Sequence, residues 1–199
     1  MVSGTLWEWA SETRNLLLIV VIALIGLFLG LWLPERARQR RWDFAREAEK
    51  VLWLIHKAEW VYFEKDADSN GVHDYWTGDI AGLYKYGLID RSIAEADARP
   101  ISPLVSKPIP KNGYLFIALD SDNSVSPPEP YRQDTDDKSG RVHHLKRFGF
   151  LAYPVQVHED LRMMALNENG SARVPPKDQA PPTYWPSDDE IKGWGRTGE

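Results

Sequence analysis

Apolar and polar positions are distributed very unevenly along this chain. From Leu16 to Leu33 the sequence reads LLLIVVIALIGLFLGLWL, eighteen residues without a charge. Wound as a helix, that run is about 27 Å long, close to the ~30 Å hydrocarbon core of a bilayer. A helix apolar on every side would need burial on every side in a soluble protein, more than the remaining chain can supply. The run therefore predicts one transmembrane helix. It is longer than the apolar part of a signal peptide, and PERARQRRW follows it instead of a small-residue cleavage site. It is expected to be a retained anchor.

The flanks suit a membrane boundary. In the N-terminal segment, residues 1–14, Trp7 and Trp9 fit the interface, either as the start of an interfacial helix or as a docking segment for a partner. Ser11 can cap the helix that follows. At the other end, Trp32 precedes Pro34, which is expected to end or kink the span. Arg36, Arg38, Arg40 and Arg41 come next and suit lipid headgroups. They outnumber the lone Arg14 on the other side, and by charge counting alone they put the following domain in the cytoplasm.

From Trp42 to Phe63 the pattern changes to a helical period, in a stretch that can run on from the span. Phe44, Ala48, Val51, Ile55, Ala58 and Tyr62 step by three and four residues into one apolar stripe. Trp53 and Trp60, seven apart, form a second line. Either the chain's own sheet covers both lines, or the tryptophans face a partner.

Short apolar pieces separated by turn residues then predict a small sheet. Ile80, Leu83 and Tyr84 suit a short helix, and GLID is a loop. Asn112-Gly113 signals a turn before the strand Tyr114–Leu119. Ser121–Gly140 is polar and proline-bearing, a long loop. Strands are expected at Arg147–Tyr153 and Leu161–Leu166, then a turn at Glu168-Asn169-Gly170 and a short strand Ser171–Val174. This is an antiparallel meander able to pack one face on the helix. The fold class expected is α+β: a transmembrane helix (15–34), a head domain (35–174) in which an amphipathic helix packs on a small antiparallel sheet, and a Pro/Gly-rich extended tail (175–199) carrying Trp185 and Trp194.

Composition narrows the chemistry. The 199 residues carry a net charge of −5, with no basic field for nucleic acid. There is no cysteine, which excludes disulfides, thiolate metal sites and cysteine nucleophiles. Nine tryptophans are many for this length and suggest aromatic packing, an interfacial belt or a partner surface. No nucleophile elbow, zinc-protease helix, P-loop or dinucleotide fingerprint is present. The span holds no ionisable residue for a proton path and no histidine for haem or chlorophyll. His143 and His144 are adjacent and do not converge as helical i,i+4 ligands do. His56 is read as a surface residue, and Asp134, Asp136 and Asp137 as a solvated charge run. One metal candidate stands out in DADSNGVHD: Asp66, Asp68 and Asn70 alternate before Gly71, as in the first half of an EF-hand-type calcium loop, with Asp74 or Asp79 as the substitute for its last ligand. Thr77 occupies the position of the bidentate glutamate, and the alternative is a polar turn ending the helix.

The order of parts resembles the type IV pilin and pseudopilin family. Val20, Val21, Ile22, Ala23, Ile25, Gly26 and Pro34 fall in register with that family's apolar helix. HKAEWVYFEKD, GLID, NGYLFIALD and FGFLAYPV resemble pilin-like heads more loosely. Two positions depart: Glu12 stands where the family has its cleavage glycine, and Leu17 where it has the helix glutamate that assists assembly. The resemblance implies an unprocessed single-pass protein of the bacterial inner membrane with an extracytoplasmic, periplasmic head. The expected role is a non-enzymatic structural or accessory subunit of a larger membrane complex (respiratory, photosynthetic or secretion). Its partners would be the lipid bilayer and integral-membrane proteins, with no small-molecule substrate. The alternatives are a minor pilin or pseudopilin, and a calcium-dependent binding module.

Overall fold

The computed structural model describes residues 5–101, 103–131, 133–134, 142–156, 158–177 and 179–197. In chain order the elements are α1 (Thr5–Lys65), β1 (Tyr75–Trp76), α2 (Ala81–Lys85), α3 (Arg91–Ala94), β2 (Tyr114–Ala118), β3 (Ser121–Asp122), β4 (Glu129–Pro130), β5 (Gln133–Asp134), β6 (Val142–His144), β7 (Gly149–Pro154), β8 (Met164–Asn167), β9 (Ala172–Val174), β10 (Tyr184–Trp185), a 3-10 turn (Glu190–Gly193) and β11 (Gly195–Arg196). The fold is α+β, one long N-terminal helix with a small antiparallel sheet, as the sequence predicts.

The chain divides into two units, Met1–Trp42 and Asp43–Glu199. The head thus begins at Asp43, and residues 35–42, assigned to it from sequence, belong with the span. Arg36, Arg38 and Arg40 are exposed. Pro34 stands inside α1 and does not end it. A proline removes one helical hydrogen bond, and the leucine-rich and Arg/Ala-rich stretches on either side are strong helix formers.

In the head, the predicted stripe Ala48, Val51, Ile55, Ala58 and Tyr62 is buried, joined by Leu52. Phe44, the first residue of that stripe, is 41% exposed. The main sheet has the order β11-β9-β8-β7-β2 and is antiparallel throughout. Leu151 of β7 stands opposite Ile117 of β2 and Ala165 of β8. Side chains alternate across a strand. Phe116, Phe150, Ala152, Met164 and Leu166 therefore join the helix in one core, while Ile117, Leu119, Leu151 and Ala165 form a second core on the other face.

That second core corrects the reading of the tail. The sheet is apolar on both faces, so the far face needs a cover, and residues of the 175–199 stretch supply it. Trp185 and Trp194, expected at a membrane or partner interface, are 3% and 8% exposed in this core, ring to ring at 6.4 Å. Backbone pairing fixes them in place: β10 runs parallel to β3, and β11 adds an antiparallel edge to β9. The 121–140 stretch, read as a loop, contributes β3, β4 and β5 to two small sheets. Asn112 and Gly113 both have positive φ, 50° and 77°, and join the Lys111–Tyr114 bridge as the predicted tight turn.

Candidate functional site

In the N-terminal unit the described apolar side chains from Leu17 to Leu33 are exposed, from 37% at Trp32 to 70% at Leu31. The helix is long and apolar enough to cross a bilayer. At its end the Arg36 guanidinium lies over the Trp32 ring, 3.8 Å from the centroid. The spacing of four residues stacks the two side chains on one helix face. Trp7 and Trp9 lie in the first turns of α1, and their side chains are outside the described part.

Trp53 and Trp60 are 43% and 40% exposed on the head's part of α1. Trp53 meets His56 edge-on at 5.4 Å, and its outer edge abuts Gly170 in the turn between β8 and β9. Trp60 packs edge-on against Phe63 and Tyr75. The head leaves each ring partly open, and Leu54, next to Trp53 in the chain, is 52% exposed. His56, read as a surface residue, is half-buried: its Nε2 lies 3.1 Å from the Glu168 carbonyl, and its ring sits between Trp53 and Phe148. Burial holds its pKa below the usual histidine value, with the Glu168 carbonyl pulling the other way.

Three of the calcium candidates, Asp66, Asp68 and Asn70, form hydrogen bonds within their own turn. Asp66 Oδ1 accepts from the Asn70 N–H and Oδ2 from the Gly71 N–H, at 3.2 and 3.0 Å. Asn70 Nδ2 donates to Asp68 Oδ2 at 3.0 Å, and Asn70 Oδ1 accepts from the Val72 N–H at 2.7 Å. Asp74 is turned inward, 1% exposed, among buried acids. Among the described residues, Asp66, Asp68 and Asp74 do not form a group placed to share a metal ion.

A buried acidic cluster takes their place as the head's most unusual feature. Glu59, Asp74, Asp79 and Asp97 are all at most 1% exposed. Two of them hold backbone. Asp97 Oδ2 accepts from Ile80 and Ala81 at 2.8 and 2.9 Å, and its Oδ1 from Arg99 at 2.9 Å. Asp79 accepts from the Gly82 N–H, the Trp76 indole and the Ile101 N–H. Together they satisfy the orphan amides at the start of the five-residue α2. Glu59 has no such role, and neither of its oxygens has a hydrogen-bond partner of ordinary geometry. Desolvation pushes its pKa well above the carboxylate range; the nearby Trp76 amide opposes this, and the charges of Asp74 and Asp79 reinforce it. Asp97 is pushed up to about 6, chiefly by burial.

A second polar network centres on His144. The backbone N–H groups of Lys146 and Arg147 donate to its Nδ1, both at 3.0 Å. That tautomer leaves Nε2–H facing Glu129 Oε1 at 3.3 Å. Arg147 pairs with Asp122 and lies 3.6 Å from Glu129 Oε2, while Asp122 also accepts from Ser124. Burial lowers the His144 pKa, and the ring braces β4 against the turn that follows β6. Asp134 lies on β5, and Asp136 and Asp137 lie outside the described residues.

The sequence pattern missed both networks because their members are separated by up to 38 residues and share no period. The one available signal was the four acidic residues Glu59, Asp74, Asp79 and Asp97 standing among apolar neighbours. No protein-family model, no curated protein and no solved structure matches the chain.

Proposed function

We propose that this chain is a single-pass, membrane-anchored structural or accessory subunit of a larger membrane complex, with no enzymatic activity of its own. The observation that carries the reading is the row of exposed apolar side chains from Leu17 to Leu33. Fully exposed in water, each would forfeit about 1.5–3 kcal/mol of burial; in hydrocarbon that loss disappears. The two polar networks support a scaffold rather than a reaction centre, because Asp79, Asp97, His144 and Arg147 are occupied in holding loops and strands together. The half-open Trp53 and Trp60, with Leu54, give the head a surface for a partner.

The pilin-like order of helix and sheet supports the finer reading, an inner-membrane protein of a bacterium with a periplasmic head. Long domains translocate largely regardless of nearby charge, so the arginine run does not oppose it strongly. The same order of parts favours a second reading, a minor pilin or pseudopilin; Glu12 and Leu17 weigh against it.

Gentle detergent extraction, size separation and mass spectrometry of co-migrating proteins, with N-terminal sequencing of this chain, test both. An intact N-terminus in a stable complex with integral-membrane proteins is expected. A chain shortened before the span and recovered in sheared filaments would overturn the subunit reading in favour of the pilin one.

A further inference from the structure

We infer that the arginine collar at the end of the span is a binding site for anionic phospholipid headgroups, selective over zwitterionic ones. The inference rests on the reading that Leu16–Leu33 crosses a bilayer, and adds a lipid class to it. Four arginines fall in six positions, Arg36, Arg38, Arg40 and Arg41, with Glu35 the single acid among residues 34–42. At about 100° per residue, Arg38, Arg40 and Arg41 stand roughly 200°, 40° and 140° around the helix from Arg36. The charges thus reach more than half of the circumference instead of one stripe.

Their height is as informative as their spread. Arg36 to Arg41 rises about 7.5 Å, the depth of one headgroup layer, given ~40–45 Å for a whole bilayer and ~30 Å for its core. Trp32 lies one turn nearer the core, the depth its amphipathic ring prefers. The Arg36 guanidinium carbon lies over that ring, 3.8 Å from its centroid, a cation–π contact, and guanidinium N–H groups can fork onto phosphate oxygens. Arg36, Arg38 and Arg40 are exposed, and among the described residues no carboxylate pairs with any of them. Every phospholipid offers a phosphate, but a choline or ethanolamine ammonium cancels its charge. An anionic lipid keeps it, and the exposed cations Arg36, Arg38 and Arg40 distinguish the two.

The test uses the full chain in two steps. It is first reconstituted into phosphatidylcholine vesicles and into vesicles with one-third phosphatidylglycerol. Detergent-solubilised protein is then titrated with short-chain forms of each lipid and read by native mass spectrometry. Insertion into both vesicles is expected, with phosphatidylglycerol adducts favoured about fivefold, the factor for roughly one basic side chain's attraction to an anionic surface. In a variant with Arg36, Arg38, Arg40 and Arg41 each changed to Gln, the ratio should fall to about one with helicity by circular dichroism unchanged. Replacement of all four by Lys should retain most of the preference. Insertion with equal adducts would overturn the collar site and leave the anchor standing. Failure to insert into either vesicle would overturn the anchor reading and the inference with it. Displacement of the lipid by an equal concentration of inorganic phosphate would replace a lipid site with a free-phosphate site.

Discussion

The outer edge of Trp53 lies 3.2 Å from the point where a side chain on Gly170 would begin. The turn between β8 and β9 closes on the helix through this contact, and Gly170 holds a φ of 68° that L side chains rarely adopt. Gly170→Ala should therefore destabilise the head twice over, by left-handed strain of about 1–2 kcal/mol and by displacing the indole. Thermal melts of the full chain in detergent should show a lowered Tm. In a Trp53→Ala background the same change should cost less, because only the strain remains. Equal costs in both backgrounds would show that the indole does not support the turn.

Glu59 makes the head sensitive to pH. Its folded-state pKa is raised by burial, so its contribution to stability is complete below about pH 4.5 and is lost as the pH rises through the raised value. Asp97, at about 6, acts in the same direction at lower pH. His144 and His56, with lowered values, act oppositely: their contribution is present above about pH 6.5 and is lost on acidification. Glu59→Gln fixes the neutral form and leaves the other three groups unchanged. The variant should match the wild type at pH 5 and exceed it at pH 8 by roughly 1–3 kcal/mol, the scale for relieving a buried unsatisfied group. A Tm difference that stays constant between pH 5 and pH 8 would remove the charge on Glu59 as the cause.

Trp194 closes the second core against Trp185 at 6.4 Å. Trp194→Ala should cost about 3–5 kcal/mol, the usual loss for a large buried aromatic. Removing residues 175–199 should expose Ile117, Leu119 and Leu151 and make the head aggregate on heating. Were the tail a partner strap, the truncated head would instead keep its Tm and lose only co-purifying proteins. Static light scattering beside circular dichroism separates the two outcomes.

What the sequence reveals and conceals follows from the reach of each signal. Asn112-Gly113, the alternation in YLFIAL and the uniform run from Leu16 to Leu33 are local, because each sets its own backbone or solvent preference within a few residues. The meander of β2, β7, β8 and β9 follows from those local patterns, with a short turn between the last two strands. The tail is opaque because Trp185 lies in a two-residue strand and Trp194 at the end of a 3-10 turn, too short to show a period, and the Ile117 they cover lies some seventy residues upstream. Glu59 shows the same limit: on a helical wheel it is a charge near a polar flank, and Asp74, Trp76 and Asp79, which lie near it in the fold, follow 15 to 20 residues later in the chain. Asp66 to Asp74 shows the converse. Its spacing matches the first half of a metal loop, and the contacts of Asp66 and Asn70 with the amides of residues 70–72 are visible only in the folded turn.

The orientation of the head sets two physical tendencies against each other. Arg36 to Arg41 outnumber Arg14 and favour a cytoplasmic head, while a long domain can cross regardless of such charge. The cysteine-free chain permits a clean measurement, since one introduced thiol is the only one present. Lys85 is exposed on α2, with its ammonium 6.0 Å from the Tyr86 ring, so Lys85→Cys should leave the fold intact. In spheroplasts, a membrane-impermeant maleimide should label this variant fully without lysis if the head is extracytoplasmic, as proposed. Labelling that appears only after lysis would put the head in the cytoplasm. The arginine collar would then be obeying the charge rule, and the pilin-like orientation would have to be abandoned along with the periplasmic partner it implies.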